Sequence, residues 1–209
     1  MENFTYENNN RTNKYEKYEW DQVWIEDTDN TTSTRVLYIG DSISCNVRCL
    51  ATKQSKEEFL FDGFGTSKSL DNKYFKDSLT LFSVQLPKTD IVIFNNGLHG
   101  WHLSDTEEYG FYYEDMIKFL IDKFKNIPLF IALTTYIKDD ARLKRVEERN
   151  KTAIQIAEKY HLPVIDLYSI SEKNKELLSK DKIHFTPEGN EIIAKEIVSI
   201  LYNKYNSPN

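Results

Sequence analysis

From Arg35 onward the sequence predicts an α/β protein, a parallel sheet with helices on both faces. Short apolar runs alternate there with longer segments of helical period, and polar or turn-forming residues bound each run. The runs are Val36–Ile39, a weaker Phe59–Phe61, Ile91–Phe94, Leu129–Leu133 and Val164–Leu167. A strand that is apolar at successive positions has both faces buried, which is the pattern of a parallel sheet rather than a half-solvated antiparallel one.

Helices are expected near 43–53, 71–85, 106–124 and 140–160. A last one begins at Thr186-Pro187, where a good N-cap is followed by proline at the first helical position. Ile193, Ile197, Ile200 and Leu201 form its inward stripe. On the fourth helix Leu143, Val146, Ile154 and Ala157 turn inward, and the charges between Lys138 and Arg149 read as a solvated face. Each parallel return needs a right-handed crossover, which a helix supplies, so the alternation predicts a three-layer α/β/α sandwich of about five parallel strands. In such sheets the functional crevice lies beyond the carboxyl ends of the strands. Residues just after each strand are therefore the ones to read for chemistry.

The chain has 209 residues, 40% of them hydrophobic, which suits one domain with a real core. That domain is assigned to 34–209. Residues 1–33 are rich in Asn, Thr, Glu and Tyr without a clear period and read as an extended arm. Trp20 and Trp24 bury enough area to pack the stretch from Tyr18 to Ile25 on the domain, leaving the first dozen residues loose.

The 33 acidic and 27 basic residues are mixed along the chain, giving a formal net charge of −6. Such a surface repels phosphate backbones, so no nucleic-acid partner is expected. No apolar run approaches the roughly 20 residues that cross a bilayer. The polar start MENFTYENNN lacks the basic and apolar regions of a signal peptide. The expectation is a cytoplasmic protein without a membrane partner; nothing in the pattern specifies an oligomeric state. Cys45 and Cys49 lie one helical turn apart, a poor arrangement for a disulfide and too few ligands for structural zinc, so they read as reduced, partly buried thiols.

The chemistry begins at Gly40-Asp41-Ser42-Ile43-Ser44, directly after the first predicted strand. A serine at a helix start has unpaired backbone N–H groups and a partial positive charge beside it, which would stabilise a carbonyl oxygen turning anionic. Gly40 permits the tight turn. Read alone, the triplet equally fits a simple helix cap. The second segment, Asp181-Lys182-Ile183-His184, falls just before the last helix, in a loop that should return to the same sheet edge. Histidine suits proton transfer at neutral pH, and a carboxylate on its other nitrogen fixes tautomer and orientation. Two residues between acid and histidine let one loop present both, with Asp181 orienting His184.

With these two segments in place, the chain from about Arg35 to Leu201 resembles the SGNH or GDSL-like hydrolases. The resemblance rests on Gly40-Asp41-Ser42-Ile43-Ser44, on Asp181-Lys-Ile-His184-Phe-Thr-Pro-Glu-Gly189, and on their order and separation. It implies a flavodoxin-like sandwich and two-step acyl transfer without a cofactor. Ser42 would be the nucleophile, His184 the base and Asp181 its orienter. It also implies an oxyanion hole built from the serine's own N–H, a glycine N–H after the second strand and an asparagine after the third.

Here Gly63 and Gly65 both follow the second predicted strand, with Gly65 preferred as donor, or both simply turn the chain. After the third strand the family's Gly-x-Asn-Asp is replaced by Asn95-Asn96-Gly97-Leu98-His99-Gly100-Trp101-His102. His99 takes the asparagine's place in an ungapped alignment, and a histidine N–H is a competent donor; Asn96 or Asn95 is the alternative. His99 and His102 lack the further ligands of a metal site, and no metal is expected. Trp101 either walls the acyl or alcohol pocket or belongs to the core. The function implied is hydrolysis of a small-molecule or carbohydrate ester, with a short acyl or acetyl group favoured. The competing class is a non-catalytic carbohydrate-binding module on the same scaffold.

Overall fold

A computed structural model describes residues 15, 16 and 18–205, so the dozen residues expected to be loose lie outside the described part. The strands are β1 (Asp21–Trp24), β2 (Thr34–Gly40), β3 (Phe59–Thr66), β4 (Ile91–Phe94), β5 (Leu129–Ala132) and β6 (Val164–Ile165). The helices are α1 (Ser42–Gln54), α2 (Phe75–Ser83), α3 (Thr106–Lys123), α4 (Asp140–Lys159), α5 (Leu167–Lys173) and α6 (Pro187–Tyr205).

One six-stranded sheet runs in the order β1-β3-β2-β4-β5-β6. The five strands from β2 to β6 are parallel and take the flavodoxin order, with β2 as the first of them. The α/β/α sandwich follows from which face each strand residue buries. Val36, Tyr38, Phe61, Ile91 and Ile93 pack with Val47, Ile193 and Ile197, while Leu37, Ile39, Val92 and Phe94 pack with Leu79, Met116 and Ala157. Alternate residues of one strand thus enter two cores, as the period of two requires.

Four differences from the sequence expectation have local causes. The stretch from Asp21 to Trp24 is an antiparallel edge strand on β3, yet all four of its residues are exposed, so no apolar pattern announces it. Strand β3 continues through Gly63 and Gly65 to Thr66, buried throughout. Those glycines are strand residues because α1 crosses them closely: a Cβ on Gly63 would sit 2.6 Å from Cδ of Arg48, and one on Gly65 would sit 2.2 Å from Sγ of Cys45. Helix α2 starts only at Phe75, because Asn72 first turns the chain, its side chain accepting from the Tyr74 N–H. Strand β6 stops at Ile165, and Asp166 caps the short α5 through the Ser169 N–H and hydroxyl.

A buried ion pair ties the segment after β1 to the sheet. Arg35 on β2 donates from Nε and Nη2 to the Asp62 carboxylate on β3, both side chains being essentially inaccessible. The same guanidinium reaches the carbonyls of Glu26, Asp27 and Asn30. Both cysteines are free and half-buried. Among the described residues no helix is long and apolar enough to cross a membrane.

Candidate active site

Ser42 is the first residue of α1, at the carboxyl end of β2. Asp41 caps the helix, its carboxylate accepting from the Ile43 N–H at 2.9 Å, while its carbonyl accepts from the Ser44 hydroxyl at 2.7 Å. As the first helical residue, Ser42 has an N–H with no intrahelical acceptor. Gly40 serves close approach rather than an unusual backbone angle, since a Cβ there would lie 2.8 Å from Cβ of Ser44.

The loop before α6 is folded around Asp181. Its Oδ1 accepts from the N–H groups of Ile183 and His184 at 3.0 and 2.9 Å and from the Ser179 hydroxyl at 2.8 Å. Its Oδ2 faces His184 Nδ1 at 2.6 Å. Lys182 supplies the left-handed turn, and its carbonyl accepts from the Lys138 N–H, which holds the loop against the segment following β5. Thr186 caps α6 as expected, its hydroxyl accepting from the Gly189 N–H. His184 Nε2 then lies 2.7 Å from Ser42 Oγ, across 142 positions of sequence.

The electrostatics follow from these contacts. Burial raises the Asp181 carboxyl's proton affinity, but the Ile183 N–H, the His184 ring and N–H and the Ser179 hydroxyl outweigh it and hold the carboxyl well below the usual range. An ionised carboxylate only accepts, so Nδ1 of His184 is the donor to it. In the neutral ring Nε2 is left as an acceptor for the Ser42 hydroxyl.

The other expected site residues are arranged differently. Gly65 sits beside the turn at Ser42, in register with Gly40 on β2. Asn95 spends its amide on the Ala132 carbonyl and the Thr134 hydroxyl, tying the end of β4 to β5. Asn96 donates to the Lys68 carbonyl at 3.2 Å and is buried. His99 is also buried; its Nδ1 lies 3.8 Å from the Glu16 carboxylate, and its ring meets the Trp20 indole edge-on. His102 pairs instead with Asp71 at 3.0 Å, so the two histidines face different carboxylates. Trp101 is only 2% exposed and belongs to the core, with Arg149 stacked 4.7 Å from its ring centre. Of its two expected roles, this burial fits the core.

Four residues near the site are not marked as such by the sequence pattern. Arg149, assigned to a solvated face, is 3% exposed and donates to the carbonyls of Gly97, His99, Gly100 and Leu103, setting the whole loop after β4. Ser179 supports Asp181, and a serine two residues before an aspartate was the available signal. Glu16 and Trp20 reach the site from the N-terminal segment; Trp20 marks that stretch as packed on the domain, but nothing in the sequence says that it packs here.

Comparison with known proteins places the fold. No protein-family model matches the chain and no curated protein matches it in sequence. Among solved structures the fold is that of GDSL-like lipases and related esterases. The lipase/acylhydrolase from Enterococcus faecalis superposes with a TM-score of 0.63 at 18% identity, covering 82% of this chain and 96% of its own. An acetylxylan esterase from Geobacillus stearothermophilus gives 0.62 at 14%, covering 81% and 95%. The C-terminal catalytic domain of peptidoglycan O-acetyltransferase A from Streptococcus pneumoniae gives 0.63 at 18%, covering 85% and 97%.

Proposed function

We propose that the chain is a serine esterase of the SGNH type that cleaves acetyl or other short acyl esters of a carbohydrate. The observation that carries this reading is the relay from Ser42 Oγ to His184 Nε2 at 2.7 Å and from His184 Nδ1 to Asp181 at 2.6 Å. A helix cap alone has no use for an oriented imidazole at that distance.

The Ser42 hydroxyl attacks the ester carbonyl as its proton passes to His184 Nε2, forming the Oγ–C bond. Collapse breaks the bond to the alkoxy group, which leaves with that proton. Water, deprotonated by the same nitrogen, then releases the acid and restores Ser42. The Ser42 N–H at the start of α1 holds the oxyanion; Gly65, the expected second donor, lies within β3 opposite Gln22, where its N–H faces β1 rather than Ser42. For the third donor, His99 and the second amide hydrogen of Asn96 are the candidates. No step calls for a cofactor. The acetyl preference is supported by the esterase and O-acetyltransferase among the similar folds.

Hydrolysis of p-nitrophenyl acetate tests this reading. Ser42→Ala and His184→Ala should each lower kcat by about 10⁴-fold or more. Wild-type turnover no faster than that of Ser42→Ala overturns it in favour of a binding module.

A further inference from the structure

We propose that Trp20, delivered by the segment preceding β1, is the wall that limits the acyl subsite and restricts the enzyme to short acyl groups. This rests on the esterase reading above and names the residue that sets its specificity.

The topology puts the segment there. Because β1 runs antiparallel to β3, with Asp21 opposite Thr66, the chain enters β1 from the carboxyl edge of the parallel strands. That edge is where Ser42 sits. The segment is pinned by the Trp20 backbone itself. Its N–H donates to the Ser67 hydroxyl at 2.9 Å, and its carbonyl accepts from the Ser67 N–H at 3.1 Å and the Thr66 hydroxyl at 3.2 Å. Farther back, the Glu16 carboxylate accepts from the Gly100 N–H at 3.4 Å, linking the segment to the loop after β4.

The half-buried indole fills the space between two parts of the site. The point where a Gly65 side chain would begin lies 3.5 Å from Trp20 Cζ3 and equally 3.5 Å from the Asp41 carbonyl, one residue from the nucleophile. On its other side the ring meets His99, with centroids 6.0 Å apart.

Reaction geometry decides which substituent meets this wall. His184 must protonate the leaving alkoxide, so the alcohol lies on the His184 side, and that loop is held from the β5 side through Lys138 and Lys182. Ser42 follows β2, and Trp20 lies beyond β3, on the opposite side. The oxyanion and the acyl chain both project away from the leaving group; the oxyanion turns to the Ser42 N–H at the start of α1, which leaves the acyl chain running toward the indole.

The test is kcat/KM for p-nitrophenyl acetate, butyrate and hexanoate with wild type, Trp20→Ala, Trp20→Phe and Trp24→Ala. Each methylene that gains or loses its space is worth about tenfold or more. The hexanoate-to-acetate ratio should rise at least about tenfold in Trp20→Ala and by a smaller factor in Trp20→Phe. It should stay at the wild-type value in Trp24→Ala, whose exposed ring lies over Arg48. Trp20→Phe keeps the backbone anchors and carries the test if the alanine variant does not fold. An unchanged ratio in both Trp20 variants, with turnover that still depends on Ser42, overturns the acyl wall and leaves the esterase reading standing. A wild type that prefers hexanoate also overturns it. Absence of Ser42-dependent turnover on all three esters overturns both.

Discussion

Asp181 does more for the site than orient one ring. It collects four donors, two of them backbone N–H groups of its own loop, so the carboxylate that positions His184 also folds the loop that carries it. Its proton is bound less tightly in the folded protein than in the unfolded chain. The resulting stabilisation is fully present above about pH 4, the unfolded carboxyl's range, and is lost as the pH falls through the lower folded value. Wild type should therefore be more stable than Asp181→Asn at pH 7 and pH 5, with the gap clearly narrower at pH 2. Urea denaturation at the three pH values measures this, and a gap independent of pH would remove the charge from the explanation. Asp181→Asn should also lower kcat by about 10⁴-fold, because an amide N–H facing Nδ1 favours the tautomer with its proton on Nε2, which cannot accept from Ser42.

Helix α4 illustrates what a sequence pattern conceals. Val146 and Ala157 turn inward as their spacing requires, but so do Arg149 and Asn150, which sit among charges that look like a solvated face. A helix wheel carries no sign that four carbonyls of a distant loop converge on one guanidinium. Arg149→Met should cost about 3 kcal/mol of stability, the scale for losing several charge-assisted hydrogen bonds in a buried setting. Chemical denaturation reads this directly, and a change within about 0.5 kcal/mol would show the loop to be held by other contacts. The central strands and long helices were legible because each is apolar on the faces it buries. Ser42, Asp181 and His184 were legible because local turn chemistry surrounds each of them. Strand β1 was not, since an exposed edge strand has no face to bury, and α5 was not, since seven residues are too few to establish a period. The oxyanion candidates were located only to their loops, because which donors remain available depends on partners such as Lys68 and Ala132.

For the molecule as a whole, the sheet order explains both the site and its protection. The parallel strands bring the segments after β2, β4 and β5 to one edge, while β1 closes the side that β3 would otherwise leave open. Strand β1 pairs with Gly63–Thr66 of β3, which is buried along its full length, so removing the chain through Trp24 would bare unpaired strand groups there that can pair with another copy. The truncated protein should form larger species than the full chain at equal concentration, measured by light scattering; equal size would mean that β1 serves only to deliver the residues before it. Every chemical role proposed for the site depends on Ser42 being an activated nucleophile. Intact-protein mass spectrometry after exposure to a fluorophosphonate at neutral pH tests this most directly. One adduct is expected, mapping to Ser42 and forming at least about a hundredfold more slowly in His184→Ala. No adduct at Ser42, or equal rates in the two proteins, would contradict it.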